Sequence, residues 1–454
     1  MVSAGAALGR RVSTSSRAAA AAAAAATPRP QRHQQTRRCH SSSAPSTSKA
    51  TVHLSASSTT VSEWPSFLKP RLAELRTNII DQLAGRDRIP AFMRMRQAAI
   101  DAGDGAAAAA PTMEQMARLY FERGGKLFRP RIAMLMASAC NQEVLARGSR
   151  LSASSSAPHA DPAFDAYDDI SGQQAAIALI AEMIHVASLV HDDVIDECAL
   201  QAATRRGAPS VNGYWGNKMA VLAGDFILAR ATQALCQIGD PRVISTMAKI
   251  IEDLVVGEFL QMSPELSPAG GEDQRSEIRD QRSTSSSSSS LDDRLSLYLQ
   301  KSERKTASLF ENACRSVAML ASASDGGLHG TAAAYGRHVG LAFQLVDDAI
   351  DYEAEEEDDS AAAGKPIAVD LEQGLITGPL LLAVSSEAEL VRLLRASPAQ
   401  IRETVRRSGA CERTRELATT RARRAAEIAT SLRCRNGASE ALAGLALKQL
   451  ERRV

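Results

Sequence analysis

Apolar residues recur at intervals of three and four along much of this chain, which is the period of a helix that buries one face. One run of this kind comprises Ala176, Leu179, Met183, Val186 and Val190. A second run, from Val243 to Val255, follows Asp240-Pro241, a pair typical of a helix start. Aromatic residues are only 4% of the composition, and alanine is abundant, which favours close-packed helices over a sheet sandwich. The sequence therefore predicts an all-α fold.

The first 62 residues differ in composition from the rest. They contain eight basic residues and no acidic residue, and they are rich in serine and alanine. This composition is typical of an organelle transit peptide. We interpret residues 1–62 as a disordered segment resembling a mitochondrial transit peptide; a plastid address is less favoured, and an untargeted low-complexity tail is the alternative. Residues 63–454 are predicted to form one all-α domain.

Three segments of this domain have the composition of loops. Each is rich in serine, glycine, proline or alanine and lacks an apolar period. These segments are 101–112, 147–173 and 263–293. We predict that they are low-complexity insertions that loop out of a single helical core.

Charge, hydropathy and cysteine spacing exclude several classes of protein. The formal net charge of +1 gives no reason to expect a nucleic-acid partner. No stretch of eighteen or more apolar residues occurs, so no membrane span is expected; this does not exclude peripheral contact with a membrane. The seven cysteines include no C-x-x-C pair, which favours reduced thiols over a disulfide framework or a zinc site.

Two D-D-x-x-D patterns carry the strongest chemical signal. Five Asp-Asp pairs occur, but only two have a third aspartate three positions after the pair. The two patterns consist of Asp192, Asp193 and Asp196 and of Asp347, Asp348 and Asp351. On a helix the first and last aspartate of a pattern share one face, so each pattern offers paired carboxylates. Such carboxylates repel each other unless a cation neutralises them, and Mg²⁺ is the cation that hard oxygen ligands suit best.

Basic residues occur in four segments that could face these carboxylates. The segments are GGKLFRP at 124–130, TRRG at 204–207, Lys305-Thr306 and GKP at 364–366. Guanidinium and ammonium groups bind phosphate oxygens. His185 lies about two helical turns before Asp192 on nearly the same face, where it could donate to a phosphate. The combination favours a pocket for two diphosphates, whereas each basic motif alone is more typical of surface charge.

These motifs follow one another in the order found in the trans-polyprenyl diphosphate synthase family, and the chain resembles that family. Within the family it resembles the long-chain enzymes of the solanesyl and decaprenyl type. The resemblance extends from about Pro111 to Val454 and includes EMIHVASLVHDDVID, KTASLF and FQLVDDAIDY. It implies an isoprenoid-synthase helical bundle around a central cavity. It also implies a magnesium-dependent prenyltransferase that condenses isopentenyl diphosphate repeatedly onto an allylic diphosphate.

The resemblance further implies roles for individual residues. The six aspartates of the two patterns are expected to be catalytic, with Asp192, Asp196 and Asp347 as direct metal ligands. Residues expected to bind isopentenyl diphosphate are Lys126, Arg129, His185 and Arg206. Residues expected to bind the allylic diphosphate are Arg205, Lys305, Thr306, Gln344 and Lys365.

Side chains before the first aspartate pattern bear on product length. The positions expected to line the product tunnel are Ala187, Ser188, Ile184 and Ala181. None is aromatic, and in this family an aromatic residue there stops chain growth early. We therefore expect a product of about nine or ten isoprene units, destined for the ubiquinone side chain; small residues that only reflect helix packing are the alternative.

Three other functions remain possible at this stage. A non-catalytic partner subunit of a heteromeric prenyl synthase would be expected to lack one aspartate pattern. A terpene cyclase would not need the isopentenyl diphosphate residues. A short-chain synthase, making farnesyl or geranylgeranyl diphosphate, differs only in the tunnel. The family resemblance also implies a homodimer or a heteromer with a related subunit.

Overall fold

Helices account for nearly all of the chain that the computed structural model describes, so the all-α prediction is confirmed. The structure describes residue 65 and the ranges 68–84, 113–122, 127–152, 170–195, 204–205, 208–266, 290–353 and 375–453. In chain order the α-helices are α1 (Leu68–Ala84), α2 (Met113–Glu122), α3 (Phe128–Ser152), α4 (Gly172–Ile195), α5 (Val211–Trp215), α6 (Asn217–Ile238), α7 (Pro241–Gln261), α8 (Leu291–Ser302), α9 (Ser308–Ala321), α10 (Gly326–Glu353), α11 (Gly378–Ala383), α12 (Glu387–Leu393), α13 (Pro398–Arg407), α14 (Ala410–Thr430) and α15 (Ala438–Lys448).

Four short elements complete this list. A π-helix, Glu303–Ala307, joins α8 to α9, and a 3₁₀ turn, Gln449–Glu451, follows α15. Two strands of two residues each, β1 (Thr204–Arg205) and β2 (Ala208–Pro209), pair antiparallel. The described residues all fall within one unit, Thr59–Val454.

Several helices begin where the sequence carries a capping residue. The predicted start at Asp240-Pro241 is confirmed, because the Asp240 carboxylate accepts a hydrogen bond from the Arg242 backbone N–H at 2.9 Å. The Arg242 side chain also pairs with Asp240, and this hydrogen bonding lowers the pKa of the carboxyl to about 2. Ser290 and Asp293 form a reciprocal capping box at the start of α8.

The core is centred on α4 and on the α9–α10 pair. Most side chains of α4 are buried, among them Ile177, Ile180 and Met183. Helices α9 and α10 approach so closely that a Cβ atom at Gly336 would lie 2.3 Å from the Phe310 carbonyl oxygen. A glycine is therefore required at this crossing, and the close approach fixes α10, which carries the second aspartate pattern.

Two predicted insertions are shorter than the composition suggests, because flanking helices extend into them. Helix α3 continues through Arg147 to Ser152, and α4 starts at Gly172, both within the predicted 147–173 segment. Arg147 extends the helix because its side chain pairs with Glu143, one turn earlier, at 2.8 Å. The capped start of α8 likewise shortens the predicted 263–293 segment. Residues 153–169 and 267–289 of these two segments, all of 101–112 and all of 1–62 lie outside the described residues.

Two of the described helices, α4 and α6, are long and apolar enough to cross a membrane by length and composition alone. The most apolar window is 61% buried in α4 and 39% buried in α6. Buried core helices meet the same criterion. The described cysteines are Cys140, Cys236, Cys314, Cys411 and Cys434, and all are free thiols.

Candidate active site

The two aspartate patterns lie at the carboxyl ends of two core helices. Asp192 and Asp193 are in the last turn of α4, and Asp347, Asp348 and Asp351 are in the last two turns of α10. The carboxyl end of a helix carries partial negative charge, so carboxylates there are unfavourable and do not serve as caps. Their position favours binding of a cation. Asp196, one residue past α4, lies outside the described residues.

The second aspartate of each pattern accepts a hydrogen bond from a tyrosine on a different helix. The Tyr120 hydroxyl on α2 donates to Asp193. The Tyr298 hydroxyl on α8 donates to the Oδ2 atom of Asp348, at 2.5 Å. Both tyrosines are buried, and neither was identified from the sequence, because no local pattern links a tyrosine to an aspartate on another helix.

The first aspartate of the second pattern forms an ion pair with a residue near the chain's end. The Arg452 guanidinium lies 2.6 Å from an Asp347 oxygen and 4.4 Å from the centre of the Phe343 ring. Arg415 fixes this terminal segment, because it donates to the Arg452 carbonyl at 3.1 Å and pairs with Glu353 at the end of α10. Arg452 is a further site residue that the sequence analysis missed.

Lys305 and Thr306 lie within the π-helix and link the two aspartate patterns. The Lys305 ammonium pairs with Glu258 on α7 and donates to Gln261 at 3.3 Å. Thr306 Oγ1 donates to the Gln344 carbonyl oxygen on α10, at 2.5 Å. The π-helix therefore presents its lysine towards α7 and its threonine towards α10.

The π-helix is held in place by a buried carboxylate and by glycines on both sides. Asp253 is 5% exposed and accepts hydrogen bonds from Arg304 at 2.7 Å and from Ser308 at 2.6 Å. A Cβ atom at Gly257 on α7 would lie 2.8 Å from the Lys305 backbone nitrogen. On the opposite side, a Cβ atom at Gly340 would lie 2.5 Å from the Ala307 Cα atom. The backbones approach too closely here for any side chain.

A cavity of about 120 Å³ opens beside the first aspartate pattern. Its polar wall includes Asp192, His191, Glu258 and Lys305. Its apolar wall consists of Ile184, Ile195, Leu228, Ile251, Leu254 and Val255, and Ser188 also lines it. Of the four positions expected to form the tunnel, Ile184 and Ser188 line this cavity. Ala181 and Ala187 do not line it and are fully buried in the core; Ala187 projects from another side of α4, whereas Ala181 lies about two turns before Ser188 on nearly the same face.

Arg129, one of the residues predicted to bind isopentenyl diphosphate, lies near the second aspartate pattern. Its guanidinium lies 5.2 Å from the centre of the Phe310 ring and 5.8 Å from that of Phe343, the ring that Arg452 also contacts. His185 is half-buried on α4, and its carbonyl accepts from Ser188 at 2.8 Å. Arg205 is placed only as a backbone position in β1. Lys126, Arg206 and Lys365 lie outside the described residues.

The carboxylates present fit a magnesium ion shared with a substrate. Among the residues that the structure describes, no group of three or more His, Cys, Asp or Glu side chains is gathered to hold a metal. Mg²⁺ commonly binds through one or two carboxylates, water and substrate phosphates rather than in an all-protein cage. Asp192 and Asp347 offer such carboxylates, and Lys305 and Arg129 carry cationic groups of the kind that bind phosphates.

Comparison with known proteins identifies the same chemistry. Residues 110–408 match the family model described as polyprenyl synthetase. The chain is 41% identical over 278 residues to the all trans-polyprenyl-diphosphate synthase of Homo sapiens, a match that covers 61% of this chain and 54% of that protein. The aligned region thus spans about half the length of that relative.

Other relatives align over a larger share of their length. The probable hexaprenyl pyrophosphate synthase, mitochondrial, of Neurospora crassa is 37% identical, covering 75% of this chain and 76% of that protein. The solanesyl-diphosphate synthase 1, mitochondrial, of Oryza sativa is 36% identical, with coverages of 72% and 68%. A crystal structure of a polyprenyl synthase from Caulobacter crescentus, complexed with calcium and isoprenyl diphosphate, superposes with a TM-score of 0.61 at 24% identity, covering 86% of this chain and 98% of that one. That likeness confirms the isoprenoid-synthase fold.

Proposed function

Because the chain belongs to the polyprenyl synthetase family, we propose that it is a magnesium-dependent all-trans polyprenyl diphosphate synthase. It condenses isopentenyl diphosphate repeatedly onto an allylic diphosphate. The observation that carries the proposal is the π-helix. It places Lys305 beside the cavity of the first aspartate pattern and hydrogen-bonds Thr306 to Gln344, one turn from the second pattern.

In this reaction the allylic diphosphate ionises, the double bond of isopentenyl diphosphate attacks the allylic cation, and a proton is lost to the departing diphosphate. Lys305, Thr306 and Gln344 bind and orient the allylic diphosphate. Arg129 and His185 bind isopentenyl diphosphate. The apolar cavity wall excludes water from the cation. Bound magnesium, held by Asp192, Asp196 and Asp347, would supply Lewis-acid stabilisation of the diphosphate charge.

We assign a long product, of about nine or ten isoprene units, to this site. Ile184 and Ser188, which line the cavity below Asp192, include no aromatic side chain that would block a growing chain. The relatives from Homo sapiens, Neurospora crassa and Oryza sativa are named for polyprenyl, hexaprenyl and solanesyl products. These names support a long product, and the solanesyl name supports nine units. A product of this length suits the side chain of ubiquinone.

The cavity in the single chain is too small for such a product. At about 120 Å³ it is below the roughly 300–1,000 Å³ of common ligand pockets. Its wall includes Val255, which is 51% exposed, and further along α7 Phe259 is 68% exposed. We infer that a second copy of the chain covers α6 and α7 and completes the tunnel. A heteromer with a related subunit is the alternative.

The mitochondrion is the proposed location. Residues 1–62 have the composition of a transit peptide, and the relatives from Neurospora crassa and Oryza sativa are named as mitochondrial proteins. Product release would bring the protein into peripheral contact with a membrane, because a polyprenyl chain is apolar.

The test is incubation of the full-length chain with magnesium, labelled isopentenyl diphosphate and an allylic primer. Products are sized by reversed-phase chromatography. We expect a ladder that ends at nine or ten units, and Asp192→Asn and Asp347→Asn variants that lose nearly all incorporation. Products that stop at three or four units would show a short-chain synthase instead. No incorporation by the unmodified chain would favour the non-catalytic partner subunit.

A further inference from the structure

Four side chains form a continuous hydrogen-bonded chain from the core to the π-helix. Tyr298 donates to Asp348 at 2.5 Å, and Gln344 Nε2 donates to the other Asp348 oxygen at 2.7 Å. Thr306 then donates to the Gln344 carbonyl oxygen at 2.5 Å. Every link lies on a different helical turn or element, so the chain joins α8, α10 and the π-helix.

Donor and acceptor chemistry fixes the direction of this chain. An ionised carboxylate can only accept, so Asp348 requires the amide nitrogen of Gln344 to face it. The amide oxygen then faces Thr306, whose hydroxyl hydrogen is committed to that oxygen. Thr306 consequently offers only lone pairs to other groups, whereas the second N–H of the Gln344 amide makes no other hydrogen bond among the described residues.

The buried end of the chain is fixed on all sides. Tyr298 has 0% exposure and Asp348 has 2%. Burial, reinforced by the Asp348 charge, raises the pKa of Tyr298 well above its usual value, so the phenol remains a donor. Gly378 packs directly against the same phenol oxygen. A Cβ atom at Gly378 would lie 2.9 Å from that oxygen, so this position admits no side chain without moving the ring.

We propose that Tyr298 is a positioning residue for allylic diphosphate binding, which acts through Asp348 on the Gln344 amide and on Thr306. Tyr298 does not touch substrate. Its hydroxyl holds Asp348 in the orientation that directs the Gln344 amide, so that one amide N–H remains as a donor for the diphosphate. The proposal rests on the proposed function, because it concerns the diphosphate site of that reaction.

The test compares Tyr298→Phe with Tyr335→Phe. Tyr335 is a matched control, because it also has 0% exposure and its hydroxyl donates a single hydrogen bond, to the Leu442 carbonyl at 2.8 Å, outside the site. We expect both variants to lose a similar amount of thermal stability. Only Tyr298→Phe should raise the KM for the allylic diphosphate, by about tenfold, the size expected for loss of a hydrogen bond to a charged group. The KM for isopentenyl diphosphate should change by less than about twofold, since the residues expected to bind it are not among the four hydrogen-bonded side chains.

A binding measurement and a double-mutant cycle complete the experiment. Calorimetry with inorganic diphosphate and magnesium should show weaker binding in Tyr298→Phe and unchanged binding in Tyr335→Phe. Combining Tyr298→Phe with Asp348→Asn should add little to the effect of Asp348→Asn alone, because both substitutions break the same series of hydrogen bonds. Equal diphosphate binding by the two tyrosine variants, or additive effects in the cycle, would overturn the proposal. Absence of any product with the unmodified protein would instead refute the proposed function.

Discussion

Several aspartates of the site already bind protein groups, and a metal or a substrate would have to compete with those groups or bind beside them. Asp347 pairs with Arg452, which also lies against Phe343. Asp193 and Asp348 each accept from a buried tyrosine. The first aspartate of the second pattern is therefore opposed by a partly exposed cation, whereas the second aspartate of each pattern is fixed by a neutral donor. This difference supports a ligand role for Asp347 and a supporting role for Asp348.

Replacement of Arg452 tests whether its guanidinium competes with a metal for Asp347. We expect Arg452→Gln to tighten the binding of magnesium alone, without substrate. The expected gain is about three- to fivefold, because a partly exposed ion pair contributes up to about 1 kcal/mol. Isothermal titration calorimetry measures the affinity directly.

Arg453→Gln serves as the control for that titration. Arg453 is the next residue, is exposed, and carries the same charge, so its removal changes the net charge equally. Equal gains in the two variants would mean that only long-range charge matters. Weaker binding in Arg452→Gln would show that the guanidinium assists the metal site.

At the scale of elements, the π-helix is the feature that unites the site. Its single widened turn lies between α7 and α10, and Asp253 ties it to α7 through Arg304 and Ser308. A π-helical turn inside an α-helical run is rare and is frequently found at functional sites. Here it places two adjacent side chains, Lys305 and Thr306, against two different helices.

Gly257→Ala tests the close approach of α7 to the π-helix. The added methyl group would meet the Lys305 backbone nitrogen at 2.8 Å and its Cα atom at 3.0 Å, and neither can rotate away. We expect a loss of about 1–3 kcal/mol in the free energy of unfolding, as for other overpacked sites. Urea denaturation measures it, and activity should fall with the displacement of Lys305.

Gly330→Ala is the matched control on α10. No atom lies within 4 Å of a Cβ built there, so the methyl group meets open space. Alanine is favoured over glycine in a helix by roughly 0.5–1 kcal/mol, so this variant should be more stable than the unmodified chain. A loss of stability in both variants would indicate that glycine is needed for helix conformation in general rather than for the contact with the π-helix.

At the scale of the whole molecule, α6 and α7 expose apolar side chains along their outer surfaces. These side chains are Val221, Leu222, Val255 and Phe259, together with Met262 directly after α7, and each is at least 40% exposed. Both helices also line the cavity beside Asp192, through Leu228 and Leu254. Exposed apolar residues in such number are typical of an interaction surface. Association here would therefore both bury these residues and extend the cavity wall.

Phe259→Glu tests the proposed second copy. A carboxylate at this position, 68% exposed in the single chain, would be buried without a partner in the assembly. We expect the unmodified chain to sediment as a dimer and the variant to sediment mainly as a monomer, with shortened products. Leu447→Glu, at a 42% exposed leucine on α15, should remain dimeric. A dimer in both variants would place the interface elsewhere, and a monomeric unmodified chain would favour a heteromer.

Local spacing allowed the sequence by itself to determine the helices and the aspartate patterns. Neighbours three and four residues apart share a helix face, so the α4 and α7 periods, the start at Asp240 and the pairing of carboxylates within each pattern could be read directly. The family resemblance then supplied the roles of Lys305, Thr306 and Gln344. Their separate assignments did not show that Thr306 and Gln344 are joined by a hydrogen bond.

Only the tertiary structure decided which distant groups support the site. Tyr298 lies 50 residues from Asp348 in the sequence. The other supporting residues belong to further parts of the fold: Asp253 to α7, Gly378 to α11 and Arg452 to the segment after the 3₁₀ turn. Such partners are selected by how helices pack, and packing depends on side-chain shape across the whole core rather than on any local period. Packing also placed Ile184 and Ser188 in the cavity wall and Ala181 and Ala187 in the core. Ala187 faces about 100° away from Ser188, and Ala181 lies on nearly the same face as Ser188 but about two turns farther from Asp192.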